Sequence, residues 1–271
     1  MKPFLLFLLG IMLISCNENA QKSEAENSDT ETTTETVAEA PPRVFPKSIG
    51  PVFEAHGGIA NWDKMNTLTF EIEKASGVEK HITDLKSRKA HIAHKDWTIG
   101  FDGSEVWLAQ DSTFYRGNAR FYHNLYFYFY AMPFIVSDPG VNYQQLADPL
   151  EMDGKKYPGT LISYDDGIGD SPKDEYIVYR DPETGQMAWL GYTVTYRDNE
   201  KKENFSYIKY GEWQEVGGLM LPKSMTWYTV EEGRPVEPRG EATVFTNVNI
   251  TSNPVDQALF AKPEGAEVVP R

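Results

Sequence analysis

The side chains with the most chemical potential in this sequence are its five histidines, its one cysteine and its clustered carboxylates. His91 and His94 lie three residues apart in a stretch that alternates like a strand, so they fall on opposite faces and are not expected to share a metal. His56 sits in Ala55-His56-Gly57-Gly58. It is expected to satisfy a backbone group or to pack on Trp62; a catalytic role is the alternative. Asp165-Asp166-Gly-Ile-Gly-Asp170, with Asp174 and Glu175 close behind, gathers the hard oxygen donors that calcium favours. It lacks the ligand spacing of an EF-hand, so a solvated hairpin loop is the default and weak calcium binding the alternative. The sequence contains no G-x-S-x-G elbow, P-loop, dinucleotide fingerprint or H-E-x-x-H. No catalytic residue, metal or cofactor is therefore assigned, and a non-enzymatic protein is expected.

The thiol is better placed. Residues 1–15 carry Lys2 and then an apolar run, Phe4 to Ile14, ending at Leu13-Ile14-Ser15-Cys16. A spanning helix needs about twenty apolar residues, so the run suits a cleaved signal peptide rather than a permanent span. Leu13-Ile14-Ser15-Cys16 resembles the lipobox of bacterial lipoproteins. That resemblance implies diacylglycerol transfer to the Cys16 sulfur and cleavage before Cys16. A thiolate is a competent nucleophile for such a transfer, and two or more acyl chains hold a protein stably on a bilayer. Membrane attachment through lipid on Cys16 is thus expected. It removes the sole thiol, and with it any disulfide, thiol catalysis or cysteine metal site. Asn17, where Asp would favour inner-membrane retention in enterobacteria, points to the outer membrane, on its periplasmic or its surface face.

Residues 16–45 follow as a tether rich in Glu, Thr, Ser and Asn, with no aromatic before Phe45. Such a stretch cannot bury enough apolar surface to offset chain entropy. Fully extended, its thirty or so residues reach on the order of 100 Å. Residues 46–271 then form one domain. The formal net charge of −14 makes nucleic acid and anionic membrane surfaces poor partners.

The domain opens with a helix-like stretch from Ser48, with Ser48 as cap and Pro51 in the first turn. Phe53, His56 and Ile59 share a face, and Gly57-Gly58 are expected to allow close approach to a sheet. Period-2 segments follow: Thr67 to Glu73, Lys89 to His94, Trp97 to Phe101 and Glu105 to Ala109, the last two joined at Asp102-Gly103. Further strands are expected from Gly159 to Tyr164, Glu175 to Arg180, Met187 to Tyr196, Asn204 to Trp213, Leu221 to Val230 and Ala242 to Ile250. Strands in sequence joined by short turns argue for an antiparallel meander. The exception is Gly117 to Asp138, with a polar start at Asn118 and no turn signal until Pro133, which includes the aromatic run NLYFYFYAMPF (residues 124–134). Tyr122, Leu125, Tyr126, Phe129 and Met132 recur at helical spacing. A strand with Tyr126, Tyr128 and Tyr130 on one face is the competing reading. A second short helix is expected from Asn142 to Ala147.

The ordered set of Ala55-His56-Gly57-Gly58, Trp62, Phe101-Asp102-Gly103, Asp181-Pro-Glu-Thr-Gly185, Leu221-Pro222-Lys223 and Ala258-Leu-Phe-Ala261 resembles the LolA/LolB-like lipoprotein-localisation superfamily, and within it a Bacteroidota lipoprotein family. The resemblance covers about residues 46–268. It implies a mainly β, α+β fold: a strongly curved antiparallel sheet, an open half-barrel, wrapped around helices with an apolar cavity between. It further implies binding of a lipid or lipoprotein acyl chain, with Tyr122, Leu125, Tyr126, Phe129, Met132 and Phe134 as candidate lining. Aromatic stripes are more often core than ligand wall, and both readings stay open for this helix. The alternatives in function are an envelope scaffold with a filled barrel and a protein partner, and, behind it, a hydrolase of an envelope polymer.

Overall fold

The computed structural model describes residues 43–165 and 171–270. The expected signal peptide, Cys16, nearly all of the expected tether, and Asp166 to Asp170 of the acidic loop lie outside the described residues. Residues 42–271 form a compact unit of their own.

The helices are short: α1 (Gly50–Ala55), α2 (Ile59–Trp62), α3 (Ala119–Tyr122), α4 (Leu125–Tyr130) and α5 (Met132–Ile135). Strands β1 (Thr67–Lys74), β2 (Gly77–Asp84), β3 (Ala90–Ala93), β4 (Trp97–Phe101) and β5 (Val106–Gln110) precede α3. After α5 come β6 (Val141–Gln145), β7 (Leu150–Met152), β8 (Lys155–Tyr157), β9 (Gly159–Tyr164), β10 (Tyr176–Arg180), β11 (Met187–Tyr192) and β12 (Ser206–Tyr210). The chain continues with β13 (Trp213–Val216), β14 (Leu219–Pro222), β15 (Ser224–Glu231), β16 (Arg234–Pro238), β17 (Thr243–Thr251), a 3-10 turn at Gln257–Phe260 and β18 (Glu267–Val269).

One large antiparallel sheet runs β18-β5-β4-β3-β2-β1-β17-β15-β12-β11-β10-β9-β6, with β16 paired to β15. The first strand of the domain pairs with β17, near its end, through Leu68↔Ile250 and Ile72↔Phe245. That pairing joins the N-terminal meander to the C-terminal one. The sheet does not close, because β18 and β6 are its two ends. A mainly β, strongly curved antiparallel sheet holding a few helices is the architecture expected from the sequence.

Alternation decides which face is core. On β1, Leu68, Phe70 and Ile72 are buried while Glu73 is exposed. These side chains join α1, α4 and α5 and the inward residues of β11, β12 and β15 in one apolar cluster that includes Phe53, Phe127, Tyr130, Met132, Phe134, Leu190, Ile208 and Met225. The convex face carries a second layer. Trp107 lies across β4, where a Cβ on Gly100 would sit 2.1 Å from the indole, and its Nε1 donates to the Phe260 carbonyl at 2.9 Å.

Several local expectations change. The opening helix is two helices, because Gly57 and Gly58 take φ of 95° and 84° between them. A side chain on Gly57 would meet the Gly218 carbonyl oxygen at 2.3 Å, so the glycines do provide a close approach, here to the β13–β14 turn. Ser48 does not cap α1. The cap position is Ile49, without a side-chain bond, and the Ser48 carbonyl accepts from Thr160 Oγ1 at 2.9 Å. Pro51 in the first turn already removes one orphan N–H. The stretch 118–133 is helical but broken into α3, α4 and the start of α5, with Asn118 capping α3 by accepting from Phe121 N at 3.0 Å. The helix expected at 142–147 is instead strand β6, paired in register with β9 through Val141↔Tyr164 and Tyr143↔Ile162. An available sheet edge outweighs weak local helical preference there. Strands β2, β7, β8, β16 and β18 carried no alternating apolar pattern and were not expected.

Candidate functional site

The unexpected strand β2 is the one that matters most. Its core-facing positions hold Glu79, His81 and Thr83, all buried, while Val78 is 48% exposed. Pairing with β1 sets Glu79 opposite Ile72 and His81 opposite Phe70. A carboxylate and an imidazole are thereby inserted into the apolar interior. Such groups persist only when they are hydrogen-bonded or paired.

The partners come from the helices. Tyr122, the last residue of α3, donates its hydroxyl to Glu79 Oε2 at 2.6 Å. His81 Nε2 lies 3.5 Å from the same oxygen. Lys74, at the end of β1, donates to the Tyr126 hydroxyl at 2.6 Å. Burial pushes the Glu79 carboxyl up, but His81, Tyr122 and the charge of Lys74 outweigh it and hold Glu79 below the ordinary carboxylate range. Burial holds His81 down, so its imidazole is neutral near pH 7. Burial beside Glu79 pushes the Tyr122 hydroxyl well up, which keeps it a donor. The cluster therefore carries an ionised carboxylate beneath the helices.

The aromatic residues expected to line a cavity separate into two groups. Met132 and Phe134 have no exposed surface. Phe134 stacks on Trp62 with centroids 4.5 Å apart, and both residues belong to the filled centre of the bowl. Tyr126 and Phe129 are also buried in that apolar cluster, while Tyr122 and Leu125 pack against it from outside. Tyr122 and Leu125 are only half-buried. The Tyr126 ring meets Tyr122 at 5.7 Å and Trp227 at 6.1 Å. Phe129 meets Tyr192 at 4.9 Å and Trp227 at 6.0 Å. Trp227 Nε1 donates to the Tyr192 hydroxyl at 3.0 Å, and the Tyr210 hydroxyl donates to the Phe129 carbonyl at 2.5 Å. The result is a seam between α4 and β11–β12–β15, apolar in depth and polar at its edge.

His56 lies elsewhere, fully buried. Its Nδ1 pairs with the Met220 carbonyl at 2.9 Å and its Nε2 accepts from Met187 N at 3.0 Å. These contacts fix the Nδ1–H tautomer and leave neither nitrogen for proton transfer. The ring packs edge-on against Trp213 at 4.2 Å rather than on Trp62. His91 and His94 part to opposite faces: His91 approaches Trp107 at 6.0 Å, and His94 stacks on Trp97 at 5.0 Å. Among the described residues no cluster of His, Cys, Asp and Glu could hold a metal ion, and no helix is long and apolar enough to cross a membrane.

Sequence reasoning missed Glu79 and His81 because Glu-x-His-x-Thr reads as a polar loop. The available signal was its period of two, carried by polar rather than apolar side chains.

Comparison with known proteins adds the following. Residues 107–236 match a family of unknown function (DUF6503). No curated protein sequence matches. Among solved structures the chain is similar to a LolA superfamily protein from Nitrosomonas europaea, at 12% identity and a TM-score of 0.46, over 81% of this chain and 99% of that one. It is also similar to a chain described as an outer membrane lipoprotein-sorting protein domain from Vibrio parahaemolyticus, at 8% identity and a TM-score of 0.35, over 76% of this chain and 96% of that one. A third similarity is to the MucA/MucB complex of Pseudomonas aeruginosa, at 12% identity and a TM-score of 0.21, over 82% of this chain and 62% of that one.

Proposed function

We propose that this is an exported, non-enzymatic lipoprotein, anchored through lipid on Cys16 to the outer membrane, whose half-barrel binds the acyl chain of a lipid or lipoprotein. One observation carries the reading: the seam of Leu125, Tyr126, Phe129, Tyr192 and Trp227 between a short helix and the inner face of an open sheet. An acyl chain needs apolar depth without directional bonds, and a headgroup needs hydroxyl and indole donors at the edge. The helices over the seam are four and six residues long, and specific contacts hold them: Tyr210 to the Phe129 carbonyl, Tyr122 to Glu79, and Lys74 to Tyr126. In this reading α3 and α4 act as a lid that swings aside to admit the chain, while α5 stays in the core.

The test is extraction of the purified full-length chain followed by lipid mass spectrometry. Bound lipid is expected in the wild type and lost in Leu125→Asp, at a half-buried position, with circular dichroism unchanged. Absence of lipid from the wild type overturns the reading.

A second reading has its own support. Phe127, Tyr130, Met132 and Phe134 fill the bowl, which suits an envelope scaffold that engages a protein partner. Crosslinking in intact cells that captures a stoichiometric protein, without bound lipid, favours it.

A further inference from the structure

A hollow of about 340 Å³ opens beside the β2 cluster. Glu79, Trp97, Phe114, Tyr115, Asp96 and Arg116 are among the residues that line it. Trp97 is 7% exposed and held rigid, with His94 stacked on it at 5.0 Å and Tyr115 against it at 4.8 Å. The loop before α3 presents Tyr115, whose backbone N–H donates to Gln110 Oε1 at 2.9 Å. Phe114, next in line, is 55% exposed, although a large apolar side chain ordinarily gains by burial.

The charges are uneven. The Glu79 side chain is 7% exposed, and both of its described contacts, from Tyr122 and His81, fall on Oε2. Asp96 adds a second carboxylate, 35% exposed. Arg116 is the cation among the lining residues, and its side chain is solvent-exposed, where its field is strongly screened. Lys74 donates to the Tyr126 hydroxyl, and its charge acts on Glu79 without a direct bond to it. A buried carboxylate, a second one at the rim and three aromatic rings together make a surface that attracts cations: ring faces are negative, and desolvation strengthens the attraction.

We propose that this hollow is a binding site for an organic ammonium group, a primary or quaternary amine, with the ammonium against Glu79 and between the rings of Tyr115 and Phe114. The site adjoins the acyl-chain seam, since Tyr122 of α3 is bonded to Glu79, but its ligand is a cation and its binding is read without any acyl chain. A compact alkylammonium fits the volume, and its carbon shell contacts the rings while its charge meets the carboxylates. Arg116 at the rim suits an anionic group on the same molecule, as in a zwitterionic headgroup. The ammonium can thus belong to a free small amine or to an aminolipid.

The experiment is calorimetric titration of the full-length chain in detergent with tetramethylammonium and with ethanolamine. Neopentyl alcohol serves as a neutral control of similar bulk. Saturable binding of the cations but not of the alcohol is expected. Glu79→Gln keeps shape and accepts the Tyr122 hydrogen bond, and is expected to weaken binding at least tenfold. Phe114→Ala removes an exposed ring, leaves the fold intact, and is expected to weaken binding two- to fivefold, in line with about 0.5–1 kcal/mol for an exposed cation–π contact. Vesicles with and without phosphatidylethanolamine distinguish the sources: a headgroup site gives tighter retention on aminolipid vesicles, lost in Glu79→Gln, whereas a free-amine site gives none. Equal binding of the alcohol, unchanged binding in both variants, or no saturable cation binding overturns the proposal.

Discussion

Acid stability isolates one residue of this fold. His56 is fully buried, and burial lowers its pKa from the ordinary 6.5 to about 4, against a smaller upward pull from the Met220 carbonyl. The geometry agrees: protonation puts a hydrogen on Nε2, which already accepts from Met187 N at 3.0 Å. Between pH 6.5 and 4 the unfolded chain therefore binds a proton that the folded chain refuses. Stability rises with pH wherever the unfolded state holds more protons, so this contribution is complete above 6.5 and is lost as pH falls towards 4. At about 1.4 kcal/mol per pH unit the full loss is about 3 kcal/mol. His81 and His91 are also held low by burial and act in the same direction, whereas Asp138 and Asp174, pushed up by burial, act in the opposite one. Comparison with His56→Gln cancels these, because glutamine offers an acceptor and a donor but does not titrate. Denaturant unfolding followed by tryptophan fluorescence, at fixed ionic strength from pH 7.5 to 4.5, is the assay. The variant is expected to be less stable at pH 7.5, with the two curves converging as pH falls. Parallel curves would refute the buried, neutral imidazole.

Tyr210→Phe removes the hydroxyl that reaches the Phe129 carbonyl, leaving a buried acceptor unsatisfied at about 1–3 kcal/mol; hydrogen exchange is expected to speed up in α4 more than in β1. Gly57→Ala places a methyl 2.3 Å from the Gly218 oxygen at a φ of +95°, and a loss of roughly 3 kcal/mol or more in thermal or denaturant unfolding is expected. Tyr122→Phe removes one donor from Glu79 and raises its pKa, measurable by carboxyl NMR titration, with a loss of about 1–3 kcal/mol at neutral pH that shrinks as Glu79 protonates. Leu125→Asp, at a half-buried position, is expected to abolish lipid retention while leaving the melting temperature within a few degrees of wild type.

How much of this was legible in the residues differs from element to element. The strand expected from Thr67 to Glu73 announced itself because Leu68, Phe70 and Ile72 meet the core while Thr69, Glu71 and Glu73 lie on the more open face, which writes a period of two into the sequence. The helical character of the stretch from Asn118 onward followed from the spacing of Tyr122, Leu125, Tyr126 and Phe129, and the close approach at Gly57 from a pair of glycines inside a helix. His56 as a backbone latch followed the same way. The orientation of individual rings did not, since periodicity assigns a face and not the neighbour that fills it. Only the packed structure sends Met132 and Phe134 to the centre and leaves Tyr122 and Leu125 at the margin. Strand β6 was hidden because an edge strand owes its form to its partner, Tyr164 to Thr160, far along the chain. Glu79 and His81 were hidden for a related reason. A polar group becomes interior when β1 on one side and β3 on the other fix its register, and its partners, Tyr122 above all, arrive from some forty residues away. Local pattern specifies which elements form; long-range pairing decides which charges are taken out of water, and that choice places the candidate site.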